Sequence, residues 1–214
     1  TPSSFNELSH DLQMQQFNAL WRNYCINDTY EPGSVVKPFT VAAALDAGKI
    51  TGNEYFNCNG YRDIGGFEIS CHNEWGDGEV SVQKAVEISC NVALMDIAAM
   101  MGKDTFVDYQ HIFNFGLKTN IDLWGESRTA NVVYNKDNIG STELATCSFG
   151  QGFNVTMIQV IAGFCSLING GNYYEPHMVS KIISPSGATV ENIEPRLLKQ
   201  TVSASVSEKI KEYC

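Results

Sequence analysis

The sequence predicts an α+β fold in which an antiparallel sheet is flanked by helices. Three observations lead there. Several stretches repeat apolar residues at helical spacing, opening on capping residues and closing on glycine. Two others read as short strands turning on glycine- or proline-containing peptides, as hairpins do. With 214 residues, 43% hydrophobic and 18% charged, the chain is long enough to bury one core. Helix layered on sheet is the arrangement in which both apolar faces are covered.

The elements follow in order. Residues 5–25 are polar and rich in Gln and Asn, with Phe17, Leu20 and Trp21 scattered among them in a weak helical pattern. A helix runs from about Ser34 to Asp46 and is ended by Gly48. Tyr55 to Cys71 reads as a hairpin of two strands around Arg62-Asp63-Ile64-Gly65-Gly66. Residues 81–101 are helical, with Ser81 as cap, apolar positions at Val82, Val86, Leu94, Ile97, Ala98 and Met101, and Gly102 as the stop. Ser89-Cys90-Asn91 interrupts that run, because Ser and Asn bond to local backbone in place of the helix. Asp104 caps a helix reaching Phe115, with Gly116 beyond it, and Thr156-Met157-Ile158-Gln159 is a capping box that opens an apolar helix to Ile168. Tyr173 to Ser184 is strand, turning at Pro185-Ser186-Gly187.

Composition narrows function. No apolar run approaches a membrane span, no signal sequence opens the chain, and neither repeats nor low-complexity tracts occur. A formal charge of -10 offers no compensating cations to nucleic acid or an anionic lipid surface, which argues against both as partners.

Chemistry concentrates in two short motifs. Glu31-Pro32-Gly33-Ser34-Val35-Val36-Lys37 places a serine at the mouth of a helix with a lysine one turn on. A serine hydroxyl needs a base to become a nucleophile, and a lysine whose pKa is lowered by burial can be that base. Positions i and i+3 share a helix face, so Lys37 can lie over Ser34, while the helix dipole favours negative charge on the serine oxygen. Pro38 is tolerated only near a first turn, which places the helix start close to Ser34. Alone, the pair also fits an N-capping serine followed by a surface lysine. The second motif, Ser89-Cys90-Asn91, offers a hydroxyl able to pass a proton and a carboxamide able to hold a substrate amide; its bland reading is a helix break. Serine with lysine, then Ser-x-Asn, is the motif order of penicillin-binding proteins and serine β-lactamases.

The strings Tyr30 to Thr40 and Ile88 to Val92, with Ser148-Phe149-Gly150-Gln151-Gly152 leading to Asn169-Gly170-Gly171 and Tyr174-Glu175-Pro176, resemble the transpeptidase domain of a class B penicillin-binding protein. The likeness runs from about Asn27 to the end and is greatest to the Gram-positive division and sporulation type. It implies a penicillin-binding protein transpeptidase and serine β-lactamase-like fold. It also implies D,D-transpeptidation of peptidoglycan stem peptides ending in D-Ala-D-Ala, through acylation of Ser34, with β-lactams acylating the same serine. Lys37 would be the base, Ser89 the proton relay and Asn91 the substrate-amide ligand. A β-lactam-sensing module of the same fold, which stops at the acyl-enzyme, is the alternative. The resemblance further implies a membrane glycosyltransferase as partner and the extracellular face of the cytoplasmic membrane as location. No Lys-Thr/Ser-Gly triplet, the family's third motif, follows Pro176. Residues 1–214 are therefore expected to be a partial transpeptidase domain, with the third-motif strand, the anchor and the pedestal outside them; Ser203 to Cys214 resembles the helix that precedes that strand.

Seven cysteines are many for such a domain. In a hairpin turning near Ile64-Gly65, Cys58 and Cys71 fall opposite one another, and Cys90 lies in the Ser-x-Asn loop. With His72 they could form a tetrahedral zinc site of three thiolates and one imidazole, with Asp77 as reserve ligand. A Cys58-Cys71 disulfide or isolated buried thiols are the other readings. The resemblance implies Trp at position 72 and His at 77, so the exchange here points to something local. Cys25, Cys147, Cys165 and Cys214 have no such company, and Cys165 reads as core; His10, His111 and His177 read as solvated or structural. Glu31 reads as a helix-start residue, and Gly150-Gln151-Gly152 either borders the substrate groove or only permits a tight turn before the Thr156 helix, the turn being the favoured reading.

Overall fold

The computed structural model describes residues 3–214. A 3-10 turn (Ser3–Glu7) leads into α1 (His10–Trp21), capped by Ser9, and the short α2 (Tyr24–Asn27). A 3-10 turn over Gly33–Val36 runs without a break into α3 (Lys37–Asp46), so the α-helix proper starts at Lys37, with Pro38 in its first turn where no backbone donor is missed. The strands β1 (Tyr55–Cys58), β2 (Tyr61–Ile64), β3 (Phe67–Ser70) and β4 (Gly78–Ser81) come next. Then α4 (Val82–Glu87), capped by Ser81, breaks at Ser89 before α5 (Asn91–Met101), as the sequence foretells. After α6 (Lys103–Ile112), α7 (Ser141–Ser148) and α8 (Met157–Ile168), the chain forms β5 (Asn172–Tyr174), β6 (Lys181–Ile183), β7 (Thr189–Asn192), β8 (Leu197–Gln200) and α9 (Ala204–Tyr213).

Among the described residues the strands pair antiparallel, but as four two-stranded ladders, β1 with β4, β2 with β3, β5 with β8 and β6 with β7. This corrects the expected 55–71 hairpin. The hairpin on Gly65-Gly66 spans only Tyr61 to Ser70, and Cys58 stands opposite Gly78 rather than Cys71. The reason is burial. Phe56 and Val80 are paired and both buried, so β1 and β4 present the same face to the core, while Asn59-Gly60, with Gly60 at φ +94, separates β1 from β2. The helix expected over 104–115 begins one residue earlier and ends at Ile112.

The core lies between α3 and α5. Val41, Ala42 and Ala44 of α3 and Val92, Leu94, Ile97 and Ala98 of α5 are fully buried, each larger side chain stabilising by about 1.5–3 kcal/mol. Phe39 anchors α3 in an aromatic cluster with Phe113 and Phe115, centroids 5.1 Å away in each case. Helix α8 approaches closely because position 163 is glycine: a Cβ there would lie 2.9 Å from the Phe39 ring. Cys165, read as core, is exposed; α8 turns Gln159, Val160, Gly163, Ser166 and Leu167 inward instead. Among the described residues no helix is long and apolar enough to cross a membrane.

Candidate active site

Three elements converge on one hydroxyl. Ser34 sits exposed in the 3-10 turn at the head of α3, and its Oγ accepts a hydrogen bond from Ser89 Oγ at 2.9 Å. Lys37, the first residue of α3, is 2% exposed. Its Nζ donates to Ser89 Oγ at 2.6 Å, to Ser89 O at 2.5 Å and to Asn91 Oδ1 at 2.7 Å. Three donors meet three acceptors, so the buried amine is satisfied by its own chain. The sequence spacing allows Lys37 over Ser34 directly; the structure interposes the Ser89 hydroxyl.

Ser89 can serve both neighbours because of its backbone. It occupies φ +59, a left-handed conformation that costs a non-glycine residue about 1–2 kcal/mol and that turns its carbonyl and hydroxyl toward the same amine. Asn91, opening α5, accepts from Lys37 and donates its Nδ2 to Ser70 O at 3.3 Å, tying the β2-β3 hairpin to the pocket. Arg62 of β2 reinforces the tie through Asp96 of α5, with nitrogen-oxygen distances of 2.9 and 2.7 Å.

Burial lowers the Lys37 amine to about 8, an effect only partly opposed by the nearby Cys71 and Cys90 thiols. At that value roughly a tenth of the amine is neutral at pH 7, a useful population for a base. In the charged state the bonds run Lys37 to Ser89 to Ser34; when the amine is neutral the same three atoms can carry the proton the other way. An exposed hydroxyl joined through a second hydroxyl to such an amine is equipped to attack a carbonyl carbon.

Behind this pocket lie the thiols. The donor atoms of Cys58, Cys71, Cys90 and Asp77 all fall within 4.8 Å of one another. They arrive from the end of β1, the residue after β3, the α4-α5 junction and the residue before β4, so the β1-β4 pairing brings together what a direct Cys58-Cys71 register was expected to bring. Cys71 Sγ is 3.9 Å from Cys90 Sγ and 3.9 Å from Asp77 Oδ2, and Asn73 steadies the other carboxylate oxygen at 2.8 Å. His72 Nδ1 stands 3.6 Å from Cys71 Sγ, but the residue is solvent-exposed and outside this quartet. Burial pushes the Cys71 thiol up, yet the amides of Asn73, Val92 and Asn91 and the Cys58 thiol outweigh it and bring Cys71 to about 7. Burial raises Cys90. Cys58 and Cys71 are free and do not face one another across a ladder, so the cross-strand register behind the disulfide reading is absent.

Two smaller readings change. Glu31 does more than begin a helix, since its Oε1 accepts from Gly152 N at 2.9 Å, and Gly150-Gln151-Gly152 is packed against the Ser34 turn rather than merely reversing the chain. Sequence reasoning missed both contacts. The separation in sequence leaves no local signal for them.

Residues 4–213 match the family described as the penicillin binding protein transpeptidase domain. Stage V sporulation protein D of Bacillus subtilis is 34% identical over 192 residues, covering 89% of this chain and 29% of that protein. Peptidoglycan D,D-transpeptidase FtsI of Escherichia coli K12 is 32% identical over 183 residues, covering 85% of this chain and 29% of that protein. Among solved structures, the D,D-transpeptidase domain of a peptidoglycan glycosyltransferase from Eggerthella lenta superposes with a TM-score of 0.84 at 20% identity over 95% of this chain and 53% of that one, a likeness of fold. The chain spans under a third of the length of these two curated relatives.

Proposed function

This chain belongs to the penicillin-binding protein transpeptidase family, and we propose that it supplies the nucleophile, base and relay of a serine D,D-transpeptidase that cross-links peptidoglycan stem peptides. The observation that carries the proposal is the line of atoms Lys37 Nζ, Ser89 Oγ, Ser34 Oγ, with spacings of 2.6 and 2.9 Å. Ser34 Oγ bonds to the carbonyl carbon of the penultimate D-Ala as its proton passes to Ser89 and the Ser89 proton to Lys37. The bond to the terminal D-Ala nitrogen then breaks, and that amine leaves with the proton returned along the same path. An acceptor amine from a second stem peptide attacks the acyl-enzyme and restores the Ser34 hydroxyl. Asn91 can present its carboxamide to the substrate backbone by exchanging its long bond to Ser70 O.

β-Lactams would stop at the acyl stage on the same serine. A sensing module would stop there with its natural ligand too; the transpeptidase name of the Escherichia coli relative supports turnover over sensing. We place residues 1–214 as part of a transpeptidase domain whose third motif lies elsewhere in the polypeptide. Its parent protein would act at the extracellular face of the cytoplasmic membrane, held by a segment outside this chain and working beside a membrane glycosyltransferase. Incubating the full-length protein with a fluorescent penicillin and mapping the labelled peptide tests the assignment. Label on Ser34, lost in Ser34→Ala, is expected; label that survives the substitution ends the reading.

Zinc is the second component of the proposal. In a tetrahedral site with Zn–S bonds of 2.3 Å, sulfurs sit about 3.8 Å apart, and Cys71 and Cys90 are at 3.9 Å. Three thiols with a carboxylate, all within 4.8 Å, suit zinc in donor chemistry and spacing. Cys58, Cys71 and Cys90 would hold the ion, with Asp77 in the fourth place expected of His72. Such an ion would contribute structure, fixing the α4-α5 junction from behind; the acylation steps need no cofactor.

A further inference from the structure

The nucleophile turn is laced along one side to a segment more than a hundred residues away. Tyr30 and Val155 exchange two backbone bonds of 3.0 Å, Gly33 N donates to Gly150 O at 2.9 Å, and Thr40 Oγ1 donates to Ser148 O at 2.8 Å. These contacts run in antiparallel order along residues 30–40 and 148–155. Among the described residues, the side-chain acceptor that joins the two segments at the nucleophile itself is the Glu31 carboxylate, which takes the Gly152 N–H at 2.9 Å. The approach is too close for any side chain at position 150, where a Cβ would lie 2.0 Å from Gly33 O, and Gly150 sits at φ +89.

Ser34 gains nothing from its own side chain that fixes its backbone. The residues before it are Pro32 and Gly33, the latter at φ +60, and the 3-10 turn has no side-chain cap. Beyond the backbone bond from Lys37 N to Ser34 O, the turn is held from outside on two sides, by the Ser89 hydroxyl and by the 148–155 segment. We propose that Ser148–Val155 is a strap that positions Ser34 for attack, and that Glu31 is the positioning residue fastening it. Glu31 does not touch the reacting atoms. It acts by accepting one amide hydrogen, so an uncharged acceptor of the same length should replace it. The inference rests on Ser34 being the nucleophile.

The test uses the full-length protein, with single-turnover acylation by a fluorescent penicillin and hydrogen exchange of the 148–155 peptide. In Glu31→Ala the Gly152 amide loses its acceptor. Exchange in that peptide should quicken, and the acylation rate at saturating penicillin should fall about tenfold or more, with the dissociation constant of the initial complex little changed. Glu31→Gln, whose carbonyl still accepts, should stay within a few fold of wild type in both. The proposal is overturned if Glu31→Ala acylates at the wild-type rate, whether or not exchange quickens, or if Glu31→Gln is as slow as Glu31→Ala. A wild-type protein that penicillin does not label at Ser34 removes the nucleophile reading instead, a result visible before any Glu31 variant is made.

Discussion

One tripeptide feeds two polar pockets that are satisfied in opposite ways. Ser89 and Asn91 face Lys37, and Cys90 between them faces Cys58 and Cys71. On the first side a buried amine finds three oxygen acceptors from this chain alone, while burial still disfavours its charge. On the other side three thiols and a carboxylate crowd together with only weak donors among them, and burial raises the Cys90 thiol. The first pocket is complete in its own atoms; the second, rich in soft donors, is the one proposed above to hold zinc. The left-handed Ser89 backbone is the hinge between the two, so what holds Cys90 also holds Ser89.

Removing the base from the first pocket should have the largest effect. Lys37→Arg keeps a cation but cannot readily lose a proton, and acylation should fall by about two to four orders of magnitude. Stopped-flow rates within a few fold of wild type would remove Lys37 from the base role. Removing the proposed zinc from the second pocket should do less and act at a distance. A chelator, or Cys90→Ser, should lower the melting temperature by about 5 °C or more and slow acylation with it. Protein purified without added zinc and found free of metal would reduce the quartet to packed thiols. The smallest difference separates the two candidates for the fourth place: Asp77→Ala should weaken zinc binding while His72→Ala leaves it within a few fold, as measured by competition with a colorimetric chelator. The reverse result would return His72 to the site.

The residues of the first pocket were legible in the sequence because their chemistry is written at short spacing: Ser34 with Lys37 one turn on, Ser89 with Asn91 around a helix break. Their route of connection was not, since the left-handed Ser89 that inserts its hydroxyl between amine and nucleophile is a tertiary outcome. The caps at Ser81 and Thr156 and the stop at Gly102 were equally readable, being local. Strand pairing was not. A hairpin centred on Gly65-Gly66 is a sound reading of residues 61–70, but β1 joins β4 because Phe56 and Val80 share a buried face, and nothing near Cys58 announces Gly78 as its partner. The thiol cluster was thus anticipated on a wrong register, and Asp77, the reserve ligand, takes the place expected of His72 because it directly precedes β4, which pairs with β1. Helix α7 escaped notice because Gly140 at its start offers no capping side chain; Glu143, reaching back to the Gly140 amide at 3.1 Å, was its one local sign.

The central claim is that Lys37 reaches Ser34 through the Ser89 hydroxyl, and single-turnover acylation of the full-length protein measured against pH, in wild type and Ser89→Ala, tests it most directly. The base works neutral and burial brings its pKa down to about 8, so the wild-type rate should climb from pH 6 and level off above about pH 8. Ser89→Ala leaves amine and nucleophile without their bridge, and its rate should lie about a hundredfold lower across the range. A Ser89→Ala enzyme that acylates at the wild-type rate with the wild-type pH profile would contradict the account.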